Sequence, residues 1–317
     1  GTARANAGDV VAELVTDEYG YAESDLLYLG KYEIIEVSAP YGYVKNPEIQ
    51  TVELVYAGQE IAVKDTINTS FLNSYQGVGI SLEKVMEHDE TFGIGSNSEC
   101  KNVRFGLFAN EEIIAADCTF IPENALISEV GLDENMKAVF TEKIPFGKYY
   151  VQEIATDEHY VLNGEKYLVN FEYMGQEMAT VYVDCGQFKN ILKRGTVKGI
   201  KVNEVDEPLE NALFGLFDAD CAEFTADNAI VTSKTDSEGK FEFADVPYGE
   251  YIVREIEAPT GYILSDESYP VTIFEDGEVI EITAVNQPIT VEISKQDVYG
   301  NELVGAEMEL INSDGET

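Results

Sequence analysis

One phrase occurs three times in this chain, and it constrains the fold more than any other feature. The copies read LGKYEIIEVSAPYGYV (29–44), FGKYYVQEIATDEHYVL (146–162) and YGEYIVREIEAPTGYIL (248–264). A second phrase recurs at 79–87, 199–217 and 291–310. Repetition on this scale is typical of an array of similar units, each with its own core. The sequence therefore predicts several small domains rather than one large domain.

The order of the two phrases predicts the module boundaries. Residues 77–194 and 195–288 contain all parts of the repeat in order. Residues 1–76 contain the middle and the end without the opening phrase, and 289–317 contain an opening phrase alone. We therefore expect a partial module that lacks its first strand, two complete modules and the start of a truncated one, and we number them one to four. On this interpretation the chain is a fragment of a longer array.

The repeated phrases consist of residues that favour strands. Runs such as KYEIIEV and EYIVREI are rich in Tyr, Ile and Val, and Gly, Pro and Asp bound them as turn residues. No capped amphipathic helix is evident, and AADCTF (115–120) and TADNAI (225–230) are the best candidates for a short helical turn. The predicted fold class is all-β, a tandem array of small Ig-like β-sandwich modules.

The charge excludes some classes of partner. Acidic residues number 60 and basic residues 20, which gives a formal net charge of −40. Such a chain repels phosphate backbones, so we expect no nucleic-acid partner. No apolar run is long enough to span a membrane, and we expect no direct membrane insertion.

The cysteines and histidines do not indicate a metal site. The four cysteines fall outside any CxxC spacing, and there are only two histidines, so we expect no metal and no cofactor. Pairing among the cysteines, for example within 100–185, stays open.

Three glutamates lie on apolar faces of the repeated strand. Alternate residues of a strand share a face. Tyr149 and Val151 therefore lie with Glu153, and the same spacing of apolar residues precedes Glu36 and Glu255.

Each opening phrase also has a lysine, and each module end has an asparagine. These candidates are Lys84, Lys201 and Lys295, and Asn73, Asn190 and Asn286. Lys84, Lys295 and Asn286 follow alternating apolar residues, which predicts inward-facing side chains. Lys201 is less clear, because both faces of its strand are mixed.

A buried lysine, glutamate and asparagine on three strands of one core form a reactive set. Burial disfavours the charged form, so it lowers the pKa of a lysine and raises the pKa of a carboxylic acid. A neutral amine is a nucleophile, and a neutral acid can donate and carry a proton. The amine can attack the carboxamide carbon while the acid polarises the C=O and passes a proton to the departing ammonia. The alternative is an ordinary buried ion pair, but recurrence of the set across modules favours the cross-link.

These motifs resemble those of a known family. K-x-D/N, PL-x-(G/N)-A, the Gly-x-Tyr-x-(I/V)-x-E-x-x-AP-x-GY phrase and the closing asparagine are similar to the collagen-adhesin B-type repeats, the SpaA-like or prealbumin-like domains of Gram-positive surface proteins and pilins. The resemblance implies a small Ig-like (prealbumin-like) sandwich in which a first-strand lysine is joined to a last-strand asparagine. It implies the isopeptide bonds Lys84–Asn190 and Lys201–Asn286, with Glu153 and Glu255 as the catalytic proton shuttles. Glu36 and Asn73 are then the remaining members of an incomplete site in module one, and Lys295 is the only member in module four, both of which we expect to be truncated.

The resemblance also implies a function. We expect structural stalk or spacer repeats of a Gram-positive cell-surface protein, extracellular and attached to the cell wall through regions outside this sequence. The modules would not be an enzyme, because each site consumes its own residues once, and their partners would be the neighbouring modules of the same chain.

Two alternatives stay open. The modules could be adhesin modules that bind host or extracellular-matrix polymers, for which the non-repeating segments 86–104 and 109–128 are the candidates. They could also be an accessory array attached to a surface enzyme. His159 replaces a turn glycine of the phrase, and we interpret it as a surface residue.

Overall fold

The structure, a computed structural model, describes residues 5–56, 58, 67–96, 99–115 and 118–311. Within these ranges the chain forms strands joined by turns and loops, with one 3₁₀ helix at Glu99–Asn102. The strands are β1 (Gly30–Ile35), β2 (Tyr43–Val44), β3 (Ile49–Leu54), β4 (Ser74–Tyr75), β5 (Gly77–Met86), β6 (Arg104–Ala109), β7 (Ile113–Ile114), β8 (Phe120–Ile121), β9 (Leu126–Gly131), β10 (Lys137–Glu142), β11 (Gly147–Ala155), β12 (Tyr167–Phe171), β13 (Thr180–Asn190), β14 (Arg194–Asn203), β15 (Leu213–Asp218), β16 (Val231–Lys234), β17 (Lys240–Pro247), β18 (Gly249–Glu257), β19 (Ser268–Ile273) and β20 (Val279–Asn286). The predicted all-β fold class is confirmed.

Of the two segments predicted as candidate helical turns, only one lies wholly within the described residues. In TADNAI the backbone N–H groups of Asn228 and Ala229 both donate to the Thr225 carbonyl, at 3.2 and 3.1 Å, so this segment makes a single turn. AADCTF includes 116–117, which lie outside the described residues. The 3₁₀ helix lies instead in the segment 86–104, where the sequence did not predict one.

Module two is a sandwich of two sheets. One sheet has the strand order β10-β5-β13 and the other β12-β11-β6-β9. Buried and less buried residues alternate along β10, as expected for a strand with one face on a core. The core contains large side chains with no exposed surface, among them Phe105, Phe140, Tyr149 and Phe171. These rings bury a large apolar area between the sheets and hold them together.

Module three repeats this arrangement. Its sheets have the orders β17-β14-β20 and β16-β15-β18-β19, and its core includes Phe214, Phe241 and Val253. In both modules the first strand lies in the middle of the three-stranded sheet and pairs in parallel with the last strand. The strands of the two sandwiches lie inside 77–194 and 195–288, except that the first strand of module three, β14, begins one residue earlier at Arg194. The module limits themselves stay a prediction.

The end modules contain fewer strands in the described part of the chain. In module one, β1 pairs with β3 and β2 pairs with β4, both antiparallel. In module four, Gln296 and Glu302 form an isolated antiparallel bridge, and Lys295 is exposed.

The mixed face around Lys201 has a simple explanation in the structure. Val197 and Lys201 are fully buried, so Gly199 between them also faces the core. Gly199 lies opposite Phe241 on β17, and a Cβ atom at Gly199 would lie 2.0 Å from that ring. An aromatic ring from the neighbouring strand therefore takes the place of the apolar side chain that the alternation pattern required.

Adjacent modules are in direct contact. Between modules one and two, the Ala39 N–H donates to Gln176 Oε1 at 2.7 Å, and the ring of Tyr41 packs on Tyr173 at a centroid distance of 4.7 Å. Between modules two and three, the ring of His159 packs edge-on against Tyr248 at 5.0 Å. His159 is thus half-buried at a junction, with its side chain 31% exposed, and the interpretation of it as a simple surface residue is wrong.

The structure answers the question of cysteine pairing, which the sequence left open. Cys100, Cys118, Cys185 and Cys221 all have free thiols. Burial raises the pKa of Cys185 to about 11, with a smaller contribution from the charge of Asp184. No helix among the described residues is long and apolar enough to cross a membrane, and no cluster of His, Cys, Asp and Glu in the same residues could hold a metal ion.

Candidate cross-linking sites in modules two and three

The lysine and the asparagine of each site lie on adjacent parallel strands. In module two, Lys84 on β5 pairs with Phe188 on β13, so Asn190 lies one inward-facing position further along. In module three, Lys201 on β14 pairs with Ala284 on β20, and Asn286 again lies two residues further on. The parallel register therefore places both side chains on the inner face of the same sheet, next to each other.

The glutamate reaches this pair from the opposite sheet. Glu153 lies on β11 and Glu255 on β18, the strands of the repeated phrase. Each follows two buried residues at alternate positions, as the sequence predicted. The three predicted residues of each site are thus brought together from three strands and two sheets.

In module two the three side chains are in mutual contact. Lys84 Nζ lies 2.7 Å from Glu153 Oε1 and donates to Asn190 Oδ1 at 2.6 Å. Asn190 Nδ2 donates to both carboxylate oxygens of Glu153, at 3.0 and 2.9 Å. The side chains of Lys84 and Glu153 have no exposed surface.

Module three has the same geometry. Lys201 Nζ lies 3.3 Å from Glu255 Oε1 and donates to Asn286 Oδ1 at 2.5 Å. Asn286 Nδ2 donates to Glu255 Oε1 at 2.9 Å. The side chains of Lys201 and Glu255 are 0 and 1% exposed.

Burial sets the electrostatics of both lysines. Loss of hydration lowers the pKa of Lys84, although the hydrogen bond and charge of Glu153 act in the opposite direction. The same balance lowers the pKa of Lys201, where Glu255 opposes the effect of burial. Each amine also lies over an aromatic ring, Phe105 at 5.7 Å and Phe214 at 5.6 Å. The rings stabilise a charged amine, whereas the loss of hydration, which is the largest effect, favours the neutral and nucleophilic form.

A backbone contact that the sequence did not predict holds the glutamate in place. The N–H of Asn163 donates to Glu153 Oε2 at 2.8 Å, and the N–H of Ser265 donates to Glu255 Oε2 at 2.9 Å. The donor is ten residues after the glutamate in both cases. Because the donor is a main-chain group, the side chain at this position is free to differ, and only the constant spacing could have revealed it.

Module two has an additional contact. Asn190 Nδ2 also donates to Thr156 Oγ1 at 2.8 Å. Thr156 stands where the other copies of the phrase have alanine, in the ATDEHY departure from AP-x-GY. This departure therefore reaches the site, and the hydroxyl of Thr156 gives Asn190 Nδ2 one more partner.

The K-x-D/N motif belongs to a turn rather than to the site. Asn203 Oδ1 accepts hydrogen bonds from the N–H groups of Val205 and Glu207, at 3.1 and 2.9 Å. Asp297 does the same in module four for Tyr299 and Asn301, at 2.8 and 2.9 Å. Side chains of this type close tight turns by such bonds.

The residues predicted for sites in modules one and four are only partly brought together. Asn73 Nδ2 donates to Glu36 Oε1 and Oε2 at 2.9 and 2.7 Å, and the Asn46 N–H donates to Glu36 Oε2 at 2.5 Å. In the described parts of the chain, no lysine contacts Glu36. Lys295 is exposed in module four, and within the described residues no predicted glutamate or asparagine contacts it.

The strand order and the recurring buried site define an array of prealbumin-like β-sandwich modules. The family model for SpaA, a prealbumin-like fold domain, matches residues 3–68 and 195–288, just over half of the chain. The chain belongs to this family, as the resemblance predicted. No curated protein sequence matches the chain.

Solved structures extend the comparison. The Bacillus anthracis TIE protein is 24% identical with a TM-score of 0.62, and the match covers 86% of this chain and 44% of that one. The chain therefore spans less than half the length of that structure, and the likeness supports the fold. The C-terminal fragment of the pilus adhesin SpaC from Lactobacillus rhamnosus GG is 17% identical with a TM-score of 0.44, covering 69% of this chain and all of the fragment. The shaft pilin SpaA of the same organism is 13% identical with a TM-score of 0.27, with 69% and 100% coverage.

Proposed function

We propose that modules two and three are self-cross-linking structural repeats, each closed by one Lys–Asn isopeptide bond. The observation that supports this most is the repetition of one geometry. Lysine, glutamate and asparagine meet in two separate cores, with the amine 2.6 and 2.5 Å from the carboxamide oxygen. A single buried ion pair would be weak evidence, since such pairs also occur without any reaction.

The proposed reaction balances without a cofactor. A proton passes from the lysine Nζ to the glutamate carboxylate, and the neutral amine attacks the carboxamide carbon. The new C–N bond forms as the bond to Nδ2 breaks. The glutamic acid protonates the leaving nitrogen, which departs as ammonia. The regenerated carboxylate then takes the second amine proton and passes it to the ammonia, which leaves as ammonium. The amide that remains joins the two side chains.

The contacts of the carboxyl group favour its role as a proton carrier. In module two Glu153 contacts both nitrogens that exchange protons, Lys84 Nζ at 2.7 Å and Asn190 Nδ2 at 2.9 Å. The carboxamide oxygen accepts its hydrogen bond from the lysine instead. We therefore propose that the acid transfers a proton between the two nitrogens. This role takes the place of the polarisation of the C=O that the sequence suggested. Because each site loses its own ammonia once, the modules are not turnover enzymes.

The role that we propose for the array is that of an extracellular stalk or spacer in a Gram-positive surface protein. Membership of the SpaA prealbumin-like family supports this role. We place it outside the cell, attached to the wall by regions other than those in this sequence. The high negative charge favours a soluble and extended array, because like charges repel one another.

The test is the intact mass of the full chain. Each amide expels one ammonia, so we expect a mass lower than that of the sequence by two ammonia molecules, and peptide mapping should join Lys84 to Asn190 and Lys201 to Asn286. An unshifted mass would refute the cross-linking proposal. A loss of one ammonia, mapped to a single module, would restrict the proposal to that module.

A second candidate function, polymer binding by an adhesin module, rests on one exposed hairpin. Strands β7 and β8 pair in the segment 109–128 of module two, and Ile114 and Phe120 on them are 74 and 56% exposed. Exposed apolar groups of this size can mark an interaction site. Binding of the chain to immobilised matrix polymers, lost when both residues are changed to serine, would favour this role.

A further inference from the structure

The segment 86–104 of module two contains a tight loop at the boundary with module three. Asp89 and Ile94 exchange two backbone hydrogen bonds of 3.0 Å, and Asp89 Oδ1 accepts the N–H groups of Thr91 and Phe92. Gly95 closes the loop with a φ of 95°, and a Cβ atom there would lie 2.5 Å from the His88 ring. The backbone therefore fixes the loop and presents Phe92 near its tip.

Phe92 contacts both modules. It packs against the hydrophobic core of module two and against that of module three. Its ring meets Tyr251 edge-on, at a centroid distance of 5.8 Å and an angle of 84°. Tyr251 is itself a core residue of module three, 5% exposed. One aromatic side chain thus joins two cores that otherwise belong to separate sandwiches.

An ionic contact lies beside this ring. Arg194, the first residue of β14, binds Glu87 Oε1 and Asp89 Oδ2 of module two, each at 2.9 Å. The same guanidinium donates to the Asp245 carbonyl of module three at 2.8 Å. Arg194 is 24% exposed, so solvent screens these contacts less than it screens a fully exposed pair.

The linker between β13 of module two and β14 of module three consists of residues 191–193, and hydrogen bonds hold it in place. Leu192 N–H donates to Glu87 Oε2 at 2.8 Å, and Lys193 N–H donates to the His159 carbonyl at 2.8 Å. Tyr248 of module three donates from its hydroxyl to Glu158 Oε2 at 3.1 Å. With these backbone and side-chain contacts, the linker has little freedom to bend.

We propose that the loop Asp89–Ile94 and Arg194 form a lock that makes modules two and three one rigid body. The partner of the inserted segment is the next module of the same chain, so 86–104 is a junction element and not a free adhesive surface. This inference does not depend on the isopeptide bonds, since none of its contacts involves Lys84, Lys201 or their partners.

The test uses residual dipolar couplings of backbone amides in the full chain. In the parent, the couplings of modules two and three should fit one common alignment tensor. In Phe92→Ala and in Arg194→Ala, each module should require its own tensor, with the smaller alignment in one of them. The matched control is Phe120→Ala, which removes an aromatic ring from the other inserted segment of module two, and it should keep the common tensor.

The possible outcomes separate the two parts of the lock. Two tensors in the parent would overturn the proposal, as would a common tensor retained by both variants. A change in only one variant would assign the lock to that residue and remove the other from it. Phe92→Ala could disturb the fold of module two, which its chemical shifts would reveal. In that case Arg194→Ala alone tests the rigid connection between the modules, because it removes no ring from a core.

Discussion

The change Glu255→Gln separates the chemistry of module three from its packing. Glutamine keeps the size of the side chain and can still accept the Ser265 N–H, which donates to Glu255 Oε2 at 2.9 Å. It cannot carry a proton between Lys201 Nζ and Asn286 Nδ2. We therefore expect module three to fold without forming the amide, and the intact mass should show the loss of one ammonia instead of two.

The cost in stability can be worked from the closed loop. Lys201 and Asn286 are 85 residues apart. If the amide acts like a disulfide and restricts the unfolded chain, closing a loop of this length contributes about 4.6 kcal/mol at 25 °C. For a domain of this size each kcal/mol shifts the melting temperature by about 4–8 °C, so the midpoint of module three should fall by roughly 20–35 °C. Loss of the charge beside a buried lysine adds to this decrease.

Calorimetry with mass measurement on the same sample checks this prediction. The matched control is Glu36→Gln in module one, where the glutamate has the same type of asparagine and backbone partners, Asn73 and Asn46, but no contacting lysine in the described structure. The control should keep the mass deficit of the parent. If Glu255→Gln also keeps the full deficit, or melts with the parent, the role assigned to Glu255 is wrong.

Two further predictions concern the lysines. Amine labelling in denaturant, followed by peptide mapping, should modify Lys295 fully and leave Lys84 and Lys201 unmodified, because an amide nitrogen does not react; labelling of Lys201 in the parent would contradict the linked state. The pH dependence of Glu255→Gln should also differ from that of the parent. Burial lowers the pKa of Lys201 in the folded module, so the unfolded chain binds more protons between that lowered value and the usual value of about 10.4. The deficit in stability of the variant should therefore shrink as the pH rises through this window and return as the pH falls, and a pH-independent deficit would count against a free buried amine.

The members of each site could be predicted from the sequence because strand alternation and repetition point to the same residues. Glu153 and Glu255 follow apolar residues at alternate positions, and the structure places both with their predicted lysine and asparagine. Lys201 could not be placed by alternation, since the ring of Phe241 from the adjacent strand fills the position of Gly199. Covering of one residue by the side chain of another strand has no local signal in the sequence.

The junction between modules could not be predicted for a different reason. Phe92 and His159 each contact module three, but these contacts depend on the relative orientation of two separately folded sandwiches. Periodicity within one strand contains no information about that orientation. The absence of 86–104 from the other repeats was the available signal, and from the sequence it was interpreted as a candidate adhesive surface.

The cross-links and the junction together define how the array would carry tension. In modules two and three the first and last strands are parallel neighbours, and the lysine of the site lies near the end of the first strand. With the proposed amides in place, a pull on the chain passes along β5 to Lys84, crosses to Asn190 and leaves the module, so the 106-residue span between them is outside the load path. The next strand begins at Arg194. The tension therefore falls on the short linker, which is the segment that Glu87, Asp89 and Arg194 hold between the modules. A stalk built in this way would yield first at its junctions, and the contacts of Phe92 and Arg194 lie at the point where reinforcement is most effective.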